Sequence, residues 1–254
     1  MLTIAPYTRD LVLIGGGHAH ALVLKAWGMD PLPGARLTLI NPGPTAPYTG
    51  MLPGYVAGHY RRNELEIDLV RLCRHAGARL IFDKAVDIDQ VRHEVTLETR
   101  GPVAYDLASI DVGITARLDL PGFSEYGIGA KPLNLFYKRW DNFLEQVLQG
   151  QAAADIAVIG GGVAGCELAM AMAFALQSAG ESPRVTVIES GPKISVVGDK
   201  ARRRILKAMS DLGIVVKTEA KIVEVTADQV LLDDQEPVAA VLCVGAAGGS
   251  AHKW

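Results

Sequence analysis

Three groups of residues could carry chemistry in this chain: two glycine turns, two polar residues that end strands, and a scatter of cysteines and histidines. The more regular turn, Gly160-Gly-Gly162-Val163-Ala164-Gly165, spells G-x-G-x-x-G. In such a turn the first glycine permits the tight bend. The second lets backbone approach a pyrophosphate, and the third lets the next helix pack close to the preceding strand. Free N–H groups and the positive end of the helix dipole favour a bound phosphate. Glu189 stands 24 residues beyond Gly165, where a carboxylate accepts hydrogen bonds from a ribose 2′-hydroxyl and repels a 2′-phosphate. The second turn, Gly15-Gly-Gly17-His18-Ala19-His20, has His20 for the third glycine and Asn41 for the acid. Helix and strand are expected to pack less closely there, and the ribose contact falls to an amide or to another group. The chemistry implied is that of bound dinucleotides, with the protein supplying geometry and electrostatics.

The other reactive residues form no set of their own. Cys73, Cys166 and Cys243 are far apart and make no C-x-x-C or C-x4-C pair. They read as small buried hydrophobes, with a redox disulfide as the competing reading. His18 and His20 start a helix, His59 lies in a loop, and no cysteine is near in sequence. That is no usual metal-ligand spacing, so no metal is expected. Arg202-Arg203-Arg204 reads as the solvated face of a helix, since Glu189 argues against a 2′-phosphate partner.

The elements that must position these residues repeat. Around the regular turn, Ile156–Ile159 reads as a buried parallel strand, a helix follows Gly165, and Val185–Glu189 reads as the next strand. Further along come a helix over Asp199–Asp211, a strand over Ile214–Lys217, alternating strands over Ile222–Thr226 and Gln229–Leu232, and a last strand over Val238–Val244. The first turn has the same plan. A strand runs to Ile14, a helix covers His18–Trp27, and Arg36–Ile40 is a strand. The Pro- and Gly-rich loop Asn41–Gly54 is expected to lie outside helix and sheet. A helix over Asn63–His75, a strand over Ala78–Phe82, alternating strands over Lys84–Asp89 and Arg92–Glu98, and a strand over Tyr105–Val112 complete it. Asp111-Val-Gly113 matches Cys243-Val-Gly245, and the two glycine turns begin 145 residues apart. Two copies of one plan imply two dinucleotide-binding units, joined by a crossover that includes a helix over Leu133–Leu148.

Composition fits this. The 254 residues are 49% hydrophobic and 21% charged, enough for a sizeable core. A net charge of −3 argues against nucleic acid as a partner. No apolar run approaches membrane-spanning length, and Met1–Asp10 is too short and mixed for a signal peptide. The expected address is cytoplasmic, with peripheral membrane contact left open.

On both turns, on Pro47-Tyr-Thr-Gly-Met-Leu-Pro-Gly54 with Ala57-Gly-His-Tyr60, and on Ser109-Ile-Asp-Val-Gly113, the sequence resembles the FAD-dependent pyridine nucleotide-disulfide oxidoreductases over nearly its whole length. It is most similar to the branch of type II NADH dehydrogenases and sulfide:quinone reductases, and within that to oxidoreductases associated with selenide, water dikinase. The resemblance implies an α/β fold of two Rossmann-like units, three-layer ββα in type, the second inserted in the first. It implies FAD on the first unit, held at Gly15, Gly17, His18 and Ala19, with Asn41 in place of the ribose acid. Tyr48, Thr49, Gly50, Met51, Leu52 and Pro53 would lie near the isoalloxazine, and Ala85, Val86 and Gly113 would line the site. NAD(H) would sit at Gly160, Gly162, Val163, Ala164, Gly165, Glu189 and Gly245. Glu167 matches the family acid that approaches the nicotinamide, and is the candidate catalytic residue; an acid simply placed near a helix N-terminus is the equal alternative.

The implied activity is hydride transfer from NADH to flavin and on to a small-molecule acceptor, a quinone or a sulfur or selenium compound. Nine residues follow Gly245, and Gly198-Asp199 precedes a helix inside the second unit. The family's C-terminal return and interface domain are therefore expected to be absent. The expected domains are 1–115 for FAD, 116–151 as crossover, 152–246 for NAD(H) and 247–254 as a tail. A homo-oligomer or a completing partner chain is expected. A non-catalytic nucleotide- or flavin-binding module is the competing reading.

Overall fold

Branched apolar residues build the first sheet. In the computed structural model, which describes residues 7–116, 118–196 and 198–251, Leu11–Ile14 closes strand β1 (Arg9–Ile14). Helix α1 (His18–Met29) follows, then β2 (Ala35–Asn41), parallel to β1 with Leu11 beside Leu37 and Ile14 beside Ile40. The loop expected to lie outside helix and sheet contains both. It holds β3 (Thr45–Pro47), a 3₁₀ turn at Thr49–Met51 and the short helix α2 (Leu52–Val56). β4 (Glu66–Asp68) pairs antiparallel with β3, so the helix expected over Asn63–His75 is split into a 3₁₀ turn at Arg62–Leu65 and α3 (Leu69–Ala76). Asp68 sets that boundary: its carboxylate accepts from the Arg71 N–H at 2.9 Å, an N-cap.

β5 (Arg79–Phe82) joins the sheet beyond β2. β6 (Ala85–Asp89), β7 (Glu94–Leu97) and β8 (Val103–Ala104) form an antiparallel meander, and β9 (Leu107–Ile110) returns beside β1. The parallel order is β5-β2-β1-β9. Leu13, Leu37 and Leu39 pack with Leu24 of α1 and Leu69 and Cys73 of α3. Val12, Ile14 and Ile40 pack with Ala85, Val95 and Leu97 of the meander. Alternation along β1 thus sends one face to the helices and the other to the meander, which makes three layers.

The second sheet repeats this. After β10 (Thr115–Ala116) come α4 (Phe123–Tyr126), β11 (Gly127–Gly129) and α5 (Leu133–Leu148), the last with its expected bounds. β12 (Asp155–Ile159), α6 (Val163–Ser178), β13 (Arg184–Ile188), α7 (Asp199–Asp211) and β14 (Val215–Lys217) follow. β15 (Ile222–Val225), β16 (Gln229–Leu232) and β17 (Gln235–Ala239) form the meander, and β18 (Leu242–Gly245) returns beside β12. The strand expected over Val238–Val244 is therefore two strands, because Val238 pairs with β16 and Leu242 with β12. The parallel order is β11-β18-β12-β13-β14. β19 (Gly249–Ser250) pairs antiparallel with β10.

The described chain groups into two compact units. One holds the described residues up to Thr49 with Arg62–Gly113; the other holds Gly50–Arg61 and Ile114–Ala251. Residues 1–6 of the expected first domain and 252–254 of the expected tail lie outside the described residues.

Backbone hydrogen bonds fix the register of the repeat. Gly15 N donates to Ile40 O and Gly160 N to Ile188 O, both at 2.8 Å. Asp111 N donates to Ile14 O and Ala246 N to Ile159 O, again both at 2.8 Å. Asp111 therefore corresponds to Ala246, and Gly113, with φ +73°, corresponds to Gly248, with φ +72°. This corrects the match of Gly113 to Gly245. Gly245 corresponds instead to Ile110, and a Cβ on it would lie 2.6 Å from the Phe123 ring. That glycine makes room for an aromatic ring.

Candidate functional site

In the second unit the turn leaves β12 at Gly160, whose φ of +111° suits glycine. A Cβ on Gly165 would stand 1.9 Å from Gly160 O, so α6 approaches as closely as a third glycine allows. Gly162 is the N-cap of α6, and no side chain caps that end. A Cβ on Gly162 would meet no described atom within 4 Å, and Val163 and Ala164 are exposed. The first N–H groups of a helix have no partner in the helix itself. The space in front of Gly162 is open, and Ser195 bridges the turn along one side. Glu189 braces the floor: Oε2 accepts from Gly161 N and Oε1 from Gly191 N, both at 2.9 Å. A carboxylate has about four acceptor positions, so capacity for a hydroxyl donor remains.

Glu167 is exposed on α6, one turn into the helix. Gly50 to Pro53 belong to this unit too: α2 packs on α6, Leu52 is buried, and the His59 and Phe174 rings lie 5.3 Å apart. The arginine cluster is not wholly a solvated face. The Arg202 side chain is only 17% exposed, pairs with Asp199, and donates to Ile194 O and Val196 O at 3.2 Å each. It ties Ile194 and Val196 to α7.

In the first unit the same floor is built with an amide. Asn41 is buried; its Oδ1 accepts from Gly16 N at 2.9 Å and its Nδ2 donates to Gly43 O at 2.8 Å. His20, 2% exposed, replaces the close glycine contact with hydrogen bonds. Its Nδ1 lies 2.6 Å from Gly15 O, and its Nε2 lies 2.9 Å from Ser109 Oγ. A carbonyl only accepts, so Nδ1 carries a proton and donates to Gly15 O.

The mouth of this turn differs from the other. A Cβ on Gly17 would lie 2.3–2.4 Å from the carboxyl carbon and both oxygens of Asp111. Asp111 Oδ2 accepts from Ala19 N at 3.0 Å and His20 N at 3.2 Å. The space that the second glycine opens is thus filled by a carboxylate from the end of β9. Nearby, the exposed His18 and Tyr48 rings lie 5.9 Å apart, and Thr49 is exposed. Ala85 is buried, and the β6–β7 register shifts at Val86. Asp111, Ser109 and His20 were not singled out as a group from sequence. The signal for Asp111 was an acid where the repeat has Ala246, and the Gly113–Gly245 match hid it.

All three cysteines are free and buried. Burial pushes the Cys73 and Cys166 thiols to about 11, helped at Cys166 by the charges of Glu189 and Glu167, and Cys243 to about 12. These are inert thiols rather than thiolate nucleophiles. Among the described residues no group of three or more His, Cys, Asp or Glu could hold a metal ion. No helix among them is long and apolar enough to cross a membrane.

A family model described as "Pyridine nucleotide-disulphide oxidoreductase" matches residues 9–253. The demethylphylloquinone reductase NdbB of Synechocystis is 33% identical over 161 residues, covering 60% of this chain and 38% of that protein. The structure of the sulfide:quinone oxidoreductase of Aquifex aeolicus matches with a TM-score of 0.76 at 20% identity, over 94% of this chain and 58% of the other. NDH2 of Plasmodium falciparum in complex with NADH matches with a TM-score of 0.78 at 16% identity, over 96% of this chain and 56% of the other. The chain thus spans between a third and three-fifths of the length of these relatives.

Proposed function

This chain belongs to the pyridine nucleotide-disulphide oxidoreductase family, and from that premise we propose that it binds FAD on its first unit and NADH on its second, and reduces a small-molecule acceptor, a quinone or a sulfur or selenium compound. When bound, the two cofactors supply the redox chemistry, a hydride passing from the nicotinamide to the flavin.

One observation carries the reading: the open mouth at Gly162, with the uncapped start of α6 above it and Glu189 beneath. Those N–H groups bind the diphosphate, and Gly160, Val163, Ala164 and Gly165 shape its bed. Glu189 orients the ribose hydroxyls and repels a 2′-phosphate, so NADH is the preferred donor. Glu167, exposed on the same helix, is proposed to position the nicotinamide. In the first unit Gly15, Gly17, His18 and Ala19 form the corresponding bed, and Asn41 keeps its shape by holding Gly16. Tyr48, Thr49, Ala85, Val86 and Gly113 are proposed to line the flavin. The buried thiols take no part.

The domain limits 1–115, 116–151, 152–246 and 247–254 belong to this proposal, as does a cytoplasmic address, in keeping with three unbridged cysteines. A second reading, a binding module without turnover, draws on Asp111, whose carboxylate fills the mouth of the first turn. The absorbance spectrum of purified protein with added FAD, before and after anaerobic NADH, separates the two. Bleaching of the flavin band is expected; a flavin that stays oxidised while NADH is bound would leave only the module.

A further inference from the structure

The two turns share one backbone and differ at their mouths. Gly15 and Gly160, and Asp111 and Ala246, make the same backbone hydrogen bonds. Beside Gly162 the repeat has a methyl group set back from the mouth. Beside Gly17 it has a carboxylate seated on the glycine and bonded to two helix N–H groups. A hydrogen bond to a charged acceptor is stronger than one between neutral groups, and a carboxylate at a helix N-terminus is favoured by the dipole as well. A diphosphate seeks the same N–H groups for the same reasons. Two anions do not share them.

We propose that Asp111 sets the affinity of the first unit for its dinucleotide by holding the phosphate position itself until the dinucleotide displaces it. This rests on the reading of the first turn as the FAD site. Asp111 is half-buried, at the end of β9, so its side chain can turn outward once its two bonds are replaced. Displacement costs those bonds and leaves a negative charge beside the incoming phosphates. The second unit carries no such cost, because Ala246 offers nothing to displace. Asp111 acts here as a specificity-determining residue: it makes occupancy of the first turn depend on the concentration of a ligand able to outbid a carboxylate.

The test is equilibrium binding on the full chain, with FAD followed by flavin fluorescence and NAD+ by calorimetry, for wild type, Asp111→Asn, Asp111→Ala and Ala246→Asp. Asp111→Asn removes the charge while an amide oxygen can still accept from Ala19 N. It guards against loss of fold in Asp111→Ala, and NAD+ binding reports that the second unit is intact. Both Asp111 variants are expected to bind FAD about tenfold tighter or more, the ratio one charge-assisted hydrogen bond is worth, with NAD+ binding unchanged. Ala246→Asp is expected to weaken NAD+ by a similar factor and leave FAD alone. FAD binding to wild type that is equal or weaker in both Asp111 variants overturns the role of Asp111 and leaves the FAD reading standing. FAD binding absent from every variant while NAD+ binds overturns both.

Discussion

Leu107 and Leu242 hold the same place in the two repeats, yet one is 61% exposed and the other 1%. The cause is a single strand. β18 is flanked by β12 and by β11, so Leu242–Gly245 is buried throughout. β9 is flanked by β1 and, among the described residues, is the edge of its sheet, so Leu107 and Ile110 face outward. Equal strands in equal sheets acquire different chemistry from what lies next to them. An exposed apolar edge is a template for association.

The sharpest way to break this comparison is to place the same charge at both positions. Leu242→Lys buries an amine with no partner and is expected to unfold the second unit, at a cost of about 4 kcal/mol or more. Leu107→Lys is expected to change stability by no more than ~0.5 kcal/mol and to reduce self-association in light scattering. Equal melting losses, or unchanged association, would undo the contrast.

The third position of each turn gives the next largest effect. Gly165→Ala forces a Cβ to 1.9 Å from Gly160 O, with an expected loss of about 3 kcal/mol and of NAD+ binding. His20→Ala removes two hydrogen bonds of a buried ring, with an expected loss of about 2 kcal/mol. Thermal melts of both variants check the order.

Smaller again is Glu189→Arg, which removes the ribose acceptor and the brace on Gly161. NADH is expected to lose about 1–3 kcal/mol in kcat/KM relative to NADPH. Wild-type preference for NADPH would sink the assignment. The smallest effect concerns the thiols, where folded groups at about 11 to 12 stand above the unfolded value. The folded chain then holds protons that the unfolded chain releases, so their contribution is complete below about pH 8.5 and falls as pH rises toward 11. Denaturant melts of the triple Cys→Ala variant should lose part of that alkaline decline. Its flavin reduction should stay near wild type.

Much of this was legible in sequence, for physical reasons that differ by place. Leu133–Leu148 and Asp199–Asp211 have their expected bounds because each carries an apolar stripe and helix-forming residues between clear breakers. The glycine turns were legible because each glycine has a steric reason local to the turn. β11 was not, since Gly127-Ile-Gly129 is short and glycine-rich, and becomes a strand only by pairing with Cys243–Gly245. β3 and β4 escaped notice likewise, each existing through the other. Asp111 at the first turn needed the true register of the repeat, which hydrogen bonds fix and glycine spacing did not.

The two-residue ladder of β10 and β19 sets Thr115 opposite Ser250, and these two positions are counterparts in the repeat. The two stretches run antiparallel there. In kinetic terms this is the most non-local strand pairing among the described residues, closing about half the chain with little ladder to repay the entropy of closure. β12 and β13, joined through one helix, can assemble long before it. The ladder is therefore expected to form last and open first, with the amides of 115–116 and 249–250 exchanging with solvent well ahead of those in β12. Exchange at equal rates in the two would mean that the exits are held by more than their own pairing.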